Sequence, residues 1–86
     1  MSETAEHRLK RLGMRSWRRG TKEMDMILGP FADAHLASLS PAELELYDAL
    51  LLENDQDLYQ WVSGQAPVPE RFAALIETIT GHTQRA

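Results

Sequence analysis

Apolar residues recur along this chain at intervals of three and four, the spacing of amphipathic helices, and no stretch alternates with the period of two that indicates a strand. A first helix is predicted from about Glu6 to Arg18, with Gly20 after its end. A second is predicted from about Thr21 to Leu39. We expect a single kinked helix there, because the apolar pattern continues past Pro30, which removes one backbone hydrogen bond.

Three further helices are indicated by their start signals. Ser40-Pro41-Ala42-Glu43 has the form of a capping box with proline at the first helical position. Asn54 or Asp55 can begin a fourth helix, and Pro69 a fifth that ends at Gly81. The chain is therefore predicted to be all-α, a compact bundle of five short helices. A single domain is expected over residues 1–86, with residues 1–6 and 82–86 as disordered tails.

The net charge of −4 conceals two segments of opposite sign. Residues 1–23 contain seven basic and three acidic side chains, whereas residues 24–86 contain two basic and ten acidic ones. Such a split informs on binding partners more than on the fold. Spacings of three and four place five of the bases on one face of the first helix, and we call this set the basic stripe: Arg8, Arg11, Arg15, Arg18 and Lys22.

Three interpretations of the basic stripe remain open. It can be a solvated helix face, or it can neutralise the phosphates of a nucleic acid. A helix-turn-helix over residues 44–63 would serve the second interpretation, but Glu53, Asp55 and Asp57 would then repel the phosphates. The third interpretation is a protein-binding surface centred on RRGTKEMD, residues 18–25.

Candidate catalytic and metal-binding residues are few. The chain has no cysteine, and its histidines show no spacing typical of a metal site. His35 lies on the apolar side of the second helix, where we expect a core or boundary residue, and His7 and His82 lie near the chain ends. Catalysis by the chain itself is not predicted. No apolar run approaches the roughly 20 residues that span a bilayer, and the N-terminus lacks the apolar segment of a secretory signal.

Two longer segments resemble a known family. The run RSWRRGTKEMD, residues 15–25, is similar to the RGxxE region of the flavinylation assembly factors of succinate dehydrogenase, with Arg19, Gly20 and Glu23 at the hallmark positions. The run LLENDQDLYQWVSGQAPVP, residues 51–69, also resembles these proteins. The resemblance covers roughly residues 9–80 and is closest to alphaproteobacterial and mitochondrial members.

The resemblance implies a five-helix protein that binds the free flavoprotein subunit of succinate dehydrogenase, or of fumarate reductase, and promotes covalent attachment of FAD to it. Such a factor retains no flavin, is not itself an enzyme and is expected to be a monomer when free. A bacterial cytoplasmic location is expected, without nucleic-acid binding or membrane insertion. The alternative is an antitoxin-like regulatory binder or a small nucleic-acid-binding protein. The partner-binding residues are predicted to be Arg15, Arg18, Arg19, Gly20, Glu23 and Asp25.

Overall fold

A computed structural model describes residues 3–85, which form five α-helices joined by turns and no strand. The helices are α1 (Ala5–Ser16), α2 (Lys22–His35), α3 (Pro41–Leu50), α4 (Asp55–Val62) and α5 (Ala73–Arg85). Short 3-10 turns at Leu36–Ser38 and Glu70–Phe72 lead out of α2 and into α5. The predicted all-α class with five short helices is confirmed.

Side chains cap the helices at the positions that the sequence indicates. The Ser40 hydroxyl accepts from the backbone N–H of Glu43, whose carboxylate accepts from the backbone N–H of Ser40, so the predicted capping box is complete. The side chain of Asn54 accepts from the backbone N–H of Asp57 at the start of α4. Each cap satisfies an amide that the first helical turn leaves without a partner.

α2 lies at the centre of the bundle, where it contacts α1, α4 and α5. It runs through Gly29 and Pro30 as one helix, as predicted, but ends at His35, and the 3-10 turn forms the next three residues. The Cα radius of gyration is 12.2 Å, close to the roughly 12 Å expected of a compact domain of this length. Fully enclosed side chains come from all five helices, among them Leu12, Phe31, Tyr47, Leu58 and Ile79.

Both ends of the described chain extend further than the helix pattern predicted. α1 begins at Ala5, because the side chain of Thr4 caps it by accepting from the backbone N–H of His7. α5 continues past Gly81 to Arg85, since Gly81 does not adopt the left-handed backbone that ends many helices. Residues 82–85 therefore form helix where a disordered tail was predicted. Residues 1, 2 and 86 lie outside the described residues.

Candidate functional site

The segment that joins α1 to α2, Trp17 to Thr21, carries the predicted site, and we call it the joint. Gly20 has a φ of +97°, in the left-handed region that glycine adopts without strain. A Cβ atom at Gly20 would lie 3.6 Å from Oδ2 of Asp55. Thr21 then caps α2 by accepting from the backbone N–H of Met24. The left-handed turn predicted at Gly20 is confirmed, and it brings the joint against the start of α4.

The side chain of Arg19 points into the protein and connects the joint to two other helices. Its Nη1 and Nη2 donate to the carbonyl oxygens of Leu51 and Glu53, at 2.6 and 2.7 Å, in the turn that follows α3. Its Nε donates to Oδ1 of Asp55, at 2.8 Å, in the first turn of α4. The side chain of Arg19 is only 11% exposed and that of Asp55 19%.

The contacts of Arg19 are electrostatically favourable at the C-terminal end of α3 and at the N-terminal end of α4. A cation is favourable beside the carbonyl groups that end α3, and a carboxylate is favourable in the first turn of α4, because of the helix dipoles. The planar guanidinium can serve three acceptors at once. Arg19 is therefore a structural residue of the joint, and its predicted contact with a partner stays a prediction.

A second internal contact fixes the backbone of the joint. The backbone N–H of Arg19 donates to Oδ1 of Asp25 at 2.6 Å, so Asp25 closes the joint from the first turns of α2. The indole Nε1 of Trp17 donates to Oδ1 of Asp33 at 3.2 Å, and its ring lies on Gly29. A Cβ atom at Gly29 would overlap the indole ring, so only glycine leaves room for Trp17 in this position.

Ser16 and Tyr47 form a fully buried hydroxyl pair directly before the joint. The two oxygens are 2.6 Å apart, and the hydroxyl of Ser16 also donates to the carbonyl of Leu12 at 2.7 Å. Since Ser16 has one proton to donate, Tyr47 is the donor in the pair. Burial raises the pKa of Tyr47 to about 12.

The basic stripe contains both ion-paired and unpaired bases among the described residues. Arg11 binds Glu3 through Nε at 2.8 Å and Asp48 through Nη2 at 2.7 Å, and so ties α1 to α3. The hydrogen bonds from Arg11 lower the pKa of both carboxyl groups, and the bonds to Glu3 and Asp48 raise the pKa of Arg11. Arg11 is thus already paired within the protein, which argues against the solvated-face interpretation at this one position.

Arg15 and Arg18 are exposed, and their side chains make no hydrogen bond or ion pair with the other described residues. They line a groove of about 470 Å³, and we call it the basic groove. Met14, which is 54% exposed, adds apolar surface to it. This groove therefore offers two cations beside a thioether to a binding partner.

Glu23 lies on the other side of the Arg19–Asp55 pair. Its side chain is exposed at the start of α2 and has no hydrogen-bond or ion-pair partner within residues 3–85. It lines a second groove of about 370 Å³, the acidic groove, with Thr21, Asp55, Gln56 and Tyr59. Since Arg19 lines the first groove and Asp55 the second, their ion pair separates two grooves of opposite character.

The six predicted site residues thus fall into two groups. Arg15, Arg18, Gly20 and Glu23 lie at the surface around the joint, while Arg19 and Asp25 hold it from within. Sequence reasoning missed Ser16, Trp17 and Asp55 as supports of this site. The Asp55 contact had a signal in the sequence, namely a carboxylate in the first turn of α4, but nothing in the sequence indicates that Arg19 reaches it.

No group of three or more His, Asp or Glu side chains within residues 3–85 is placed to hold a metal ion. None of the helices in that range is both long and apolar enough to cross a membrane. The site is a braced surface between two helices with exposed charges of both signs, an arrangement that suits contact with a partner.

Comparison with known proteins identifies the family of this chain. Residues 10–83 match the Sdh5 family, described as the flavinator of succinate dehydrogenase, and the chain belongs to that family. It is 43% identical over 75 residues to the mitochondrial succinate dehydrogenase assembly factor 2 of Candida glabrata, covering 84% of this chain and 49% of that protein.

Further relatives carry the same name. The assembly factor of Meyerozyma guilliermondii is 42% identical over 73 residues, covering 81% of this chain and 54% of that protein. The assembly factor of Dictyostelium discoideum is 34% identical over 73 residues, covering 85% and 52%. The chain spans about half the length of these relatives. All three are named as mitochondrial proteins of eukaryotes, and by this comparison the predicted bacterial cytoplasmic location is wrong.

Proposed function

We propose that this protein binds the free flavoprotein subunit of succinate dehydrogenase and promotes the covalent attachment of FAD to it. The family to which the chain belongs is described as the flavinator of succinate dehydrogenase, and this description supports the proposed client and reaction. The observation that carries the proposal is the joint itself. Gly20 and Glu23 are exposed close to Arg19, and the largely enclosed side chain of Arg19 ties the joint to the end of α3 and the start of α4. A surface braced in this way is suited to docking.

Each predicted residue then has a distinct role. Gly20 lets the backbone of the client approach closely, because no side chain stands between them. Glu23 accepts hydrogen bonds from a cationic or backbone donor of the client, while Arg15 and Arg18 bind its carboxylates. Arg19 and Asp25 are positioning residues that act through the joint.

The protein assists the reaction without performing it. The bond between FAD and the client forms in the client, and this chain retains no flavin after release. It stabilises the client conformation in which flavin and acceptor side chain meet. The free protein is a monomer, and the flavoprotein subunit of fumarate reductase is a second possible client.

The nucleic-acid alternative loses support from the same contacts. Arg11 is already neutralised by Glu3 and Asp48, which weakens the basic stripe as a phosphate-binding surface. Arg19 is likewise paired, with Asp55 at the start of α4, and so is not a free cation for a phosphate. No contact among residues 3–85 favours the antitoxin-like alternative.

The test is to express each candidate flavoprotein subunit with and without this protein and to measure covalent flavin by fluorescence of the denatured subunit in a gel. We expect covalent flavin to rise several-fold on coexpression, and a one-to-one complex to form with the subunit before flavin attaches. Equal flavin with and without the protein, together with no complex, would reject the proposal. A complex without a change in flavin would leave a binder of the flavoprotein and reject the flavinylation role.

A further inference from the structure

His35 and His82 bring two ring nitrogens together at the C-terminal end of α2, whereas the joint precedes the N-terminal end of that helix. Nε2 of His35, the last residue of α2, lies 3.2 Å from Nδ1 of His82 in α5. The two rings are perpendicular, with centroids 4.9 Å apart. The histidines are 47 positions apart in the sequence, so no spacing rule could have paired them.

The orientation of both rings is fixed by Phe31. Its ring lies 5.1 Å from that of His35 and 6.0 Å from that of His82, between centroids. Phe31 is fully buried, which leaves the histidines supported from the core side. Both rings are partly exposed and line a groove of about 430 Å³ together with Glu77 and Thr78. Solvent ions can therefore reach a nitrogen pair that the fold already holds together.

The nitrogen separation is the one that a metal ion requires of two imidazole ligands. A bond of about 2.0 to 2.1 Å to each nitrogen places them roughly 2.8 to 3.4 Å apart for angles between a right angle and the tetrahedral one. Imidazole suits borderline divalent ions such as Zn²⁺, Ni²⁺ and Cu²⁺. Water can occupy the remaining coordination positions, because the pair lies in an open groove.

We propose that His35 and His82 form a two-histidine chelate for a divalent transition-metal ion, with the shell completed by water. In the metal-free protein one imidazole donates to the other. On binding, the donor ring moves its proton to its second nitrogen, and both facing nitrogens then bind the ion with no net change in protons when both rings are neutral. The ion ties the last turns of α5 to the end of α2.

Calorimetric titration of the untagged protein with Zn²⁺ or Ni²⁺ tests the proposal, with His7→Gln as the matched control because His7 lies on α1, away from the pair. We expect one ion per chain. His35→Gln and His82→Gln should each weaken binding by at least about tenfold, since even the loss of an outer partner of a metal ligand costs 10- to 100-fold. His7→Gln should bind like the wild type, and Mg²⁺ should not bind.

A measurement on the wild type guards against misfolding of the variants. Electron paramagnetic resonance of the protein with one equivalent of Cu²⁺ should show coupling to two imidazole nitrogens. The melting temperature should also rise by on the order of 10 °C at a hundredfold excess of ion over Kd. Coupling to one nitrogen, or equal weakening by His7→Gln, would overturn the proposal.

Discussion

Arg19 donates from Nε to Oδ1 of Asp55 over 2.8 Å and so connects the joint to the first turn of α4, 36 positions further along the chain. Arg18, its neighbour, is exposed and makes no such contact with the described residues. Two adjacent arginines therefore carry the same charge but differ in exposure and in hydrogen bonding. This contrast supplies the first prediction.

Arg19→Lys should lower the free energy of unfolding by about 2 to 3 kcal/mol, because a lysine ammonium cannot reproduce the planar fork that serves Leu51, Glu53 and Asp55. Arg18→Lys should change it by no more than about 0.5 kcal/mol, as expected of an exposed substitution. Urea unfolding measures the free energy of unfolding of both variants, which have the same net charge because lysine replaces arginine in each. Equal stability of the two would mean that the Arg19 contacts contribute nothing measurable.

Gly20 and Gly64 separate backbone strain from function. Both have positive φ, +97° and +79°, and no atom lies within 4 Å of a Cβ built at Gly64. Alanine at either position should cost about 1 kcal/mol of stability through left-handed backbone alone. Only substitution at Gly20 should impair client binding, and Gly20→Arg should abolish it while the far-ultraviolet circular dichroism stays helical. Normal binding by Gly20→Arg would exclude close backbone approach at the joint.

Gly29 and Gly13 should respond to alanine with opposite signs. Both lie inside helices, where alanine is intrinsically favoured over glycine by about 1 kcal/mol. A Cβ at Gly13 meets nothing within 4 Å, so Gly13→Ala should stabilise the protein. A Cβ at Gly29 overlaps the Trp17 ring, so Gly29→Ala should destabilise it by about 1 to 3 kcal/mol, the usual cost of overpacking. Thermal unfolding and tryptophan fluorescence report both effects. A stabilised Gly29→Ala protein would contradict the packing of the indole on α2.

Glu23→Gln tests the exposed carboxylate without changing its shape. Within the fold, the charge contributes roughly 0.3 to 1 kcal/mol through the dipole of α2. If it meets a desolvated donor on the client, its loss should weaken binding by about 2 to 5 kcal/mol. We expect covalent flavin on the client to fall sharply and the melting temperature to change little. Glu45→Gln, an exposed glutamate of α3, is the control and should retain full activity. Full activity of Glu23→Gln would remove the ionic contact from the proposal.

The buried pair of Ser16 and Tyr47 predicts a specific alkaline instability. The folded pKa of Tyr47 is about 12, above the ordinary value of 10.0, because burial disfavours the phenolate. The neutral ring therefore contributes stability that is fully present below pH 10 and is lost as the pH rises towards 12. Between pH 9 and 11 the wild type should lose about 1 kcal/mol more than Tyr47→Phe. Urea unfolding at both pH values measures this, with Tyr59→Phe expected to behave as the wild type. Equal losses in wild type and Tyr47→Phe would contradict the buried, neutral tyrosine.

Local signals predicted most of the fold, and long-range contacts explain the rest. Ser40 and Asn54 begin α3 and α4 as expected, because a cap depends on residues only three positions apart. Gly81 was wrongly expected to end α5. A glycine ends a helix only when the following chain leaves it, and His82 instead packs against Phe31. That contact joins residues far apart in the sequence, which a local pattern does not contain.

In the candidate site, too, local features were predicted from the sequence and long-range contacts were not. Gly20 was predicted from the sequence as a left-handed turn, which the structure confirms. Glu23 is exposed, and its predicted contact with a client stays a prediction. The inward direction of Arg19 was missed, because its acceptors include two backbone carbonyl groups, which every residue possesses and no motif marks. The pairing of Arg11 with Asp48 was not predicted for a related reason, since Asp48 lies 37 positions away on another helix.

The rigidity of the joint has a consequence for the kinetics of docking. Trp17, Arg19 and Thr21 are each held by side-chain bonds or packing, so the surface around Gly20 has its shape before any client arrives. Little conformational entropy of this chain is then lost on association, and the loop need not order itself after the encounter. This chain should therefore add no slow conformational step to association, which should follow a single bimolecular phase. Any slower phase should come from a conformational change in the flavoprotein subunit.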